Sequence, residues 1–507
     1  MFCMDSRDPG GDSTSPAENR RASRGWVRRH PVVTGFLVFT AMLVAAVWFA
    51  NDQAERALER RIAAIRDRGE PVTVQDILYA QPRISDDENM AFQLASAGRA
   101  SMAVRINEEE SKSIPYLGNG RLPPTGERWN DDMLMASDSY LDRADEALGE
   151  LHKALKLERS YLALNWSTPA INVLIPELSD LRQASKILVL ESLIAAQKDQ
   201  RQRAEQLLLD MTPMTRALDG SSTLIGALVQ LATTSLMQDS VERCINQCGL
   251  SDASLRKLHI ALQESEAYPD MKQAYYGERI IFLDTLQWVR TSGPSAITTL
   301  TGSQGSPGPE SLWRYIPILP PLDISCGLDQ YNLLVSAVGT PNGRTIKAIT
   351  TLDGAAERLP MYCVMSRIML PSLSRSIVLW VRTVGSNRAL RAAIAAERFR
   401  LANDCWPEKL DDLVPKYLDA VPLDPIDGKS IRYAIIPEGM KTWTICDDDK
   451  NEDNGGDVRR LESRTGNRTK DRPMDYGWVI LNPSLRNRPA PTTTQPATSQ
   501  PTSRPVQ

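Results

Sequence analysis

The longest unbroken apolar stretch in the chain is residues 32–50, VVTGFLVFTAMLVAAVWFA, which carries no charge and no proline. As a helix rising about 1.5 Å per residue it spans roughly 30 Å, the thickness of a bilayer's hydrocarbon core. Thr34 and Thr40 are its most polar members, and Trp48 and Phe49 lie at its far end, where large rings favour the membrane interface. The pattern predicts a transmembrane helix over 32–50. The following residues, NDQAERALERRIAAIRDR, are strong helix formers, so a juxtamembrane helix over 51–69 is expected to continue the span until Gly69 and Pro71 stop it.

Between residues 70 and 291 helical periodicity dominates. Helices are expected over Met90–Val104, Asp131–Leu164 and Ala204–Leu218, with a loop at SIPYLGNGRLPPTGERW. Ile175, Leu178, Leu181, Ile187, Leu188 and Ile194 fall on one helical face, and Leu224, Leu228, Leu231 and Leu236 on another. Ser251 or Asp252 offers a cap for the helix bearing Leu255, Leu258 and Leu262, and Met271–Val289 closes the series. Short connections between such helices resemble an α-helical hairpin array of the tetratricopeptide kind. No clean 34-residue repeat is visible, and a plain helical bundle fits the same pattern. Residues 292–330 are rich in Gly, Pro and Ser and read as a connection. Residues 331–403 then offer short helices at Tyr331–Gly339 and Ile346–Glu357 and a long one at Leu373–Asn403. The apolar piece SIVLWVRTV inside the last is too short for a second span.

Composition narrows the function. Sixty-three acidic and fifty-nine basic residues leave a net charge of −4, so no polycation field is present to hold nucleic acid. Three histidines (His30, His152 and His259) are too few for a histidine-rich metal centre. No G-x-S-x-G, H-E-x-x-H, P-loop or G-x-G-x-x-G in a strand–helix context occurs, and no catalytic or cofactor-binding residue can be named. Carboxylate chemistry, as in a hydrolase, is the one enzymatic reading left.

Five arginines precede the span (Arg20, Arg21, Arg24, Arg28, Arg29) and five follow it (Arg56, Arg60, Arg61, Arg66, Arg68). The count is even, but Arg28 and Arg29 nearly abut the apolar run. This favours a cytoplasmic, disordered tail over residues 1–31 and a body on the far side. Trp48 would occupy the −3 position of a cut after Ala50, which predicts an uncleaved signal anchor. Six cysteines lie beyond the span, and six allow fifteen disulfide connectivities. Cys405 and Cys446 flank one compact module and are the preferred pair. Cys244 and Cys248 with His259 lack a fourth ligand for zinc.

That module, residues 404–482, has its own pattern. Pro407 starts a short turn whose Leu410, Leu413, Val414 and Leu418 can pack on the preceding helix. Asp427-Gly428 is a turn signal, and residues 431–436 and 441–445 are β-prone runs joined by Glu438-Gly439-Met440. Residues 476–481 can add a third strand. A small α+β unit, helix plus antiparallel strands, is predicted at the end of a mainly α chain. From Pro483 to Gln507 the density of Pro, Thr and Ser predicts a disordered tail.

With Arg400, Trp406, Pro407, Leu410, Leu413, Asp424, Pro425, Gly428, Arg432 and Tyr433 in place, the module resembles the globular domain of type II secretion major (G-type) pseudopilins. Taken whole, the chain is similar to bacterial membrane-anchored envelope proteins that carry this ending. The resemblance implies the inner (cytoplasmic) membrane with an extracytoplasmic body, and implies no chemistry. It also implies that the acidic loop Asp447, Asp449, Asn451, Asp453 could hold calcium, whose hard-donor preference these oxygens suit. The loop is no EF-hand, since Glu452 and Val458 stand where that motif needs glycine and glutamate. The module also departs from a pilin: more than three hundred residues separate Ala50 from Leu373, and Thr40 stands where the processing signal after Gly35 needs glutamate.

The expected function is a membrane-anchored extracytoplasmic binding or scaffold protein. It would contact the bilayer through residues 32–50 and another envelope protein through its body, with no nucleic-acid partner. A component of a secretion or pilus-like apparatus is the alternative, and a carboxylate hydrolase the second.

Overall fold

The structure is a computed structural model, and it describes residues 31–166, 169–292, 313, 315–339, 358–370, 373–445 and 475–489. Counting helices of at least ten residues, the order is α1 Pro31–Asp67, α2 Met90–Met102, α3 Asp131–Arg143, α4 Asp145–Ala154, α5 Glu177–Gln197 and α6 Arg201–Asp210. Then follow α7 Leu224–Cys248, α8 Asp252–Ser265, α9 Met271–Thr291, α10 Leu319–Ala337 and α11 Leu373–Asn403. Strands β1 Arg432–Ile436, β2 Gly439–Thr444 and β3 Tyr476–Leu481 form one antiparallel sheet in the order β1-β2-β3.

Helix α1 carries the apolar run and the arginine-rich segment as one rod, roughly 55 Å long. It is the one helix among the described residues that is long and apolar enough to cross a membrane, and its apolar window is wholly unburied. Phe36, Met42, Val44 and Trp48 are all exposed, whereas Leu58 and Ile65 are buried against the body. Sequence thus divides the rod into an uncovered half and a packed half.

Several helices start where the sequence supplies a cap. Asn130 accepts from the Met133 N–H (2.8 Å) and Ser251 from the Ser254 N–H (3.2 Å), each quieting a donor that the first helical turn cannot satisfy. Three expected boundaries move. The Asp131–Leu164 helix is two, broken at Ala144, whose backbone leaves helical geometry (φ −98, ψ 7). The Ala204–Leu218 helix ends at Asp210 and gives way to a 3₁₀ turn, Thr212–Arg216, because Pro213 has no N–H to continue the ladder. The expected connection 292–330 stops before Leu319, where α10 begins twelve residues earlier than the expected Tyr331. Pro320 and Pro321 sit in its first turn, where a missing N–H costs nothing. The helix expected at Ile346–Glu357 lies outside the described residues.

Two hydrophobic cores form, and neither is contiguous in sequence. One gathers α2 to α6, α8 and the sheet; the other gathers the end of α1, α9, α10 and the 364–369 turn. Helices α7 and α11 thread both. Leu224, Ala227 and Leu231 of α7 lie in the second core and Leu236, Val241 and Ile245 in the first, while α11 changes core between Val384 and Ala389. At that crossing stands Gly385. A Cβ there would lie 2.7 Å from the Thr444 hydroxyl, so only glycine lets β2 approach the helix this closely. Thr442 donates to the Ala389 carbonyl (2.8 Å) and Trp478 to the Ser386 carbonyl (2.7 Å), fixing the sheet across α11.

The predicted α+β module is therefore present, with three strands in register from Ile436↔Gly439 and Thr444↔Tyr476. The outer edge of β3 is covered by side chains. Glu242 and Asn246 of α7 accept from the Val479 and Leu481 N–H groups (3.0 and 2.7 Å), and Asn246 donates to the Val479 carbonyl (2.7 Å). A helix thus substitutes for a fourth strand and removes a free edge.

The C-terminal tail corrects the sequence reading. Residues 483–489 are ordered, with a 3₁₀ turn at Pro483–Leu485. Arg486 is buried against Glu397 (2.8 Å), and Asn487 accepts from Gln247 (2.6 Å). Composition alone missed this because a few specific polar partners can hold a segment that buries little apolar surface. Residues 490–507 and 1–30 lie outside the described residues.

Candidate functional site

Of the expected site residues, Asp447, Asp449, Asn451 and Asp453 lie outside the described residues, as does Cys446. Among the described residues no group of three or more His, Cys, Asp or Glu side chains could hold a metal ion. Cys405 is an exposed free thiol, and the disulfide the structure carries joins Cys326 and Cys363, whose Cα atoms lie 6.5 Å apart. It ties α10 to the 364–369 turn. The preference for Cys405–Cys446 came from chain proximity, whereas the observed pair is brought together by a packing that no spacing reveals. Cys244 and Cys248 are free, and burial pushes the Cys248 thiol up to about 11 and the Cys244 thiol well above its ordinary value, which keeps both in the unreactive form.

The motif residues of the C-terminal module act on one another. Asp424 is fully buried and pairs with Arg432, which also pairs with Asp427. The Ile426 and Ile445 N–H groups donate to the Asp424 carboxylate (2.9 and 3.0 Å). The Tyr433 hydroxyl donates to the Pro407 carbonyl (2.7 Å), and Trp406 donates to Asn482 (2.8 Å). These contacts shape the 419–428 loop, with Gly428 at φ +76 closing its turn.

That loop forms one wall of an open cleft of about 430 Å³. The other walls are α8, through Gln263 and Glu266, and α11, through Arg388 and Arg391. Both arginines converge on one carboxylate: Arg388 Nε and Arg391 Nη1 meet the two Glu266 oxygens at 3.0 and 2.8 Å. Arg391 Nη2 donates to Gln263 (2.7 Å) and Arg388 Nη1 to the Leu423 carbonyl (2.8 Å). Two guanidiniums sharing one carboxylate leave a unit of positive charge on this wall, and Arg391 Nε is buried with no hydrogen-bond partner. Asp419 and exposed Leu423 stand at the rim. The arrangement sets two guanidiniums, held by Glu266, Gln263 and the Leu423 carbonyl, beside the Asp419 carboxylate and the apolar Leu423 side chain, a mixed charged and apolar lining.

None of Gln263, Glu266, Arg388 or Arg391 was singled out from sequence. The available signal was Arg388 and Arg391 one turn apart in RALRAAIAA, whose other residues are small or apolar, a placement that ordinary solvent exposure would not require.

Behind the cleft, His259 of α8 is buried, and that burial, with the neighbouring Arg391 and Arg398 charges, pushes its imidazole down to about 4. It is neutral at pH 7 and adds no charge to the wall. An unfolded histidine takes its proton near 6.5, so the folded state loses stability as pH falls from about 6.5 towards 4, on the order of 3 kcal/mol in all. We expect His259→Leu to flatten this part of the curve of denaturation midpoint against pH. Identical slopes for the variant and the parent between pH 7 and 5 would contradict it.

The chain matches no protein-family model, no curated protein and no solved structure.

Proposed function

We propose that this chain is a membrane-anchored binding or scaffold protein of the bacterial envelope, held in the inner membrane by α1 with its body on the extracytoplasmic side. The observation that carries the reading is the division of α1. Twelve large apolar residues between Val32 and Phe49 face nothing in the protein, yet the same helix continues into the core through Leu58 and Ile65. Leaving that surface in water is unfavourable by roughly 25 cal/mol per Å² of apolar area, and a bilayer removes the cost. The Cys326–Cys363 disulfide suits an oxidising compartment and supports the extracytoplasmic placement of the body.

The arginine-bearing cleft is where the partner docks in this reading, through an acidic segment. A photo-crosslinking amino acid at Gln263, in full-length protein recovered from carbonate-washed membranes, tests both halves. The protein should stay in the membrane pellet, and a defined crosslinked envelope protein should be lost on Arg391→Glu. Release of the protein by carbonate removes the anchor, and crosslinking unaffected by Arg391→Glu removes the cleft.

A second reading has its own support. Helix α11 packed across a three-stranded antiparallel sheet is the shape expected of the pseudopilin-like module, which favours a component of a secretion or pilus-like apparatus. It requires a mature N-terminus at Phe36, whereas the anchor reading requires an uncut span. Mass spectrometry of the intact chain separates them.

A further inference from the structure

We propose that residues 315–319, at the start of α10, lie in the interfacial layer of the same bilayer that α1 crosses, giving the body a second, shallow membrane contact. The inference rests on the reading of α1 as a span, and its own content comes from the packing of three helices. Helix α9 runs antiparallel to α1: Arg279 near its start pairs with Glu70 (2.7 Å), and Arg290 near its end pairs with Glu55 (2.5 Å). Helix α10 runs antiparallel to α9. Asn332 accepts from Arg279 (3.3 Å), Tyr331 stacks on Phe282 at 5.4 Å, and Gly327 lies against the Phe282 ring. The start of α10 therefore points towards the apolar half of α1.

The rise of a helix sets the level. From Gly327 back to Leu319 is about 12 Å, the distance that separates Phe282 from Arg290 on α9, so Leu319 stands level with Arg290 and Glu55. Residues 315–318 precede it in a turn closed by the Leu319 N–H on the Ile316 carbonyl (3.0 Å), while the apolar run of α1 ends only about 7 Å beyond Glu55, at Ala50. At this level Tyr315 is 60% exposed and Ile316 42% exposed, with Pro317 exposed beside them. Trp313 is buried beneath, donating to Asp323 (2.7 Å), and that carboxylate also accepts from the Met365 and Ser366 N–H groups (2.7 and 3.0 Å). The exposed residues thus project from a firmly held base. A tyrosine beside aliphatic residues is the composition that the membrane–water interface prefers, and with the apolar run of α1 ending within about two turns of this level the bilayer surface is the occupant the geometry provides.

The test uses the full chain in nanodiscs of phosphatidylethanolamine and phosphatidylglycerol, containing a phospholipid with a diazirine near the glycerol end of one acyl chain. After photolysis, peptide mass spectrometry should find adducts on 32–50 and on the peptide holding Tyr315 and Ile316. It should find none on the peptide of Tyr79, which is 87% exposed but lies past Glu70 at the opposite end of the three-helix layer. The Tyr315→Ser, Ile316→Ser variant should lose the second set alone. Adducts on 32–50 without any on 315–319 overturn this inference and leave the span intact, as would be seen if the patch were instead covered by a protein. Adducts on neither peptide overturn both. Equal labelling of the Tyr79 peptide also overturns it, because the contact would not be confined to the membrane-facing end.

Discussion

Changing Glu397 to alanine is expected to destabilise the folded body by about 3–5 kcal/mol, read as a fall in the urea midpoint of the detergent-solubilised full chain. Glu397 is completely buried in α11, and each of its oxygens accepts from two arginines. Arg400 donates through Nε and Nη2 at 2.8 Å each, and Arg486 through Nη1 and Nη2 at 2.8 and 2.9 Å. Burial alone would raise the Glu397 carboxyl, but these four bonds outweigh it and hold it below the ordinary carboxylate range. It is therefore charged in the folded state, and its contribution is present at neutral pH and lost as pH falls through the depressed value. Removing the carboxylate leaves two guanidiniums, 13% and 8% exposed, with no anion between them. Arg486→Met should cost less, since Arg400 still neutralises Glu397. The double variant Glu397→Leu, Arg486→Met should recover part of the loss, because an apolar pair replaces a desolvated charge. A single variant within 1 kcal/mol of the parent would mean that water or another anion already serves this site.

The same residues mark how far sequence could reach. Apolar runs located α1, α5, α7, α8 and α9, because each must lay one stripe of side chains on a core and that stripe is printed at intervals of three and four. The hairpin of β1 and β2 and the third strand were also legible, from the β-prone runs and from the tight link Glu438-Gly439-Met440. What periodicity could not supply is which faces meet. Gln238, Asp239, Glu242 and Asn246 of α7 are buried to 0–4%. None of them stands on the apolar stripe of Leu224, Leu228, Leu231 and Leu236, yet Glu242 and Asn246 close the edge of β3, some 235 residues away in sequence. Prolines misled in one place: Pro320-Pro321 looked like the end of a connection and is the first turn of α10. The arginine cleft was invisible for the same reason as the Cys326–Cys363 pair. Glu266 and Arg391 lie on helices separated by more than a hundred residues, and their meeting depends on α8 packing along α11. The pseudopilin resemblance named Asp424, Arg432 and Tyr433, but not that their loop would complete a cleft with residues from elsewhere.

Glu70→Ala should be the more damaging change at the root of α1, and the comparison with Arg279→Met explains why. Arg279 is fully buried in α9; it meets Glu70 at 2.7 Å, donates to the Pro71 carbonyl at 3.0 Å and lies 5.1 Å from the Tyr276 ring centre. Glu70 has a second partner in Arg68 (2.8 Å), itself on the exposed side. Burial would raise the Glu70 carboxyl, but the bonds from Arg68 and Arg279 keep it below its ordinary value. Deleting the carboxylate strands a guanidinium with no exposure to water, a loss of about 3–5 kcal/mol. Arg279→Met leaves Glu70 with Arg68 and near solvent and fills much of the volume, so about 1–2 kcal/mol is expected, within the usual range for one altered side chain. The position of the pair gives a second readout. It fastens the end of α1 to α9 and α10, so Glu70→Ala should speed amide exchange over residues 55–70 before the α5–α7 core is affected. If exchange rose uniformly over both cores, the pair would be one more support of the whole body. If it rose at the root of α1 alone, the pair is the coupling through which the long apolar rod and the folded body move as one piece.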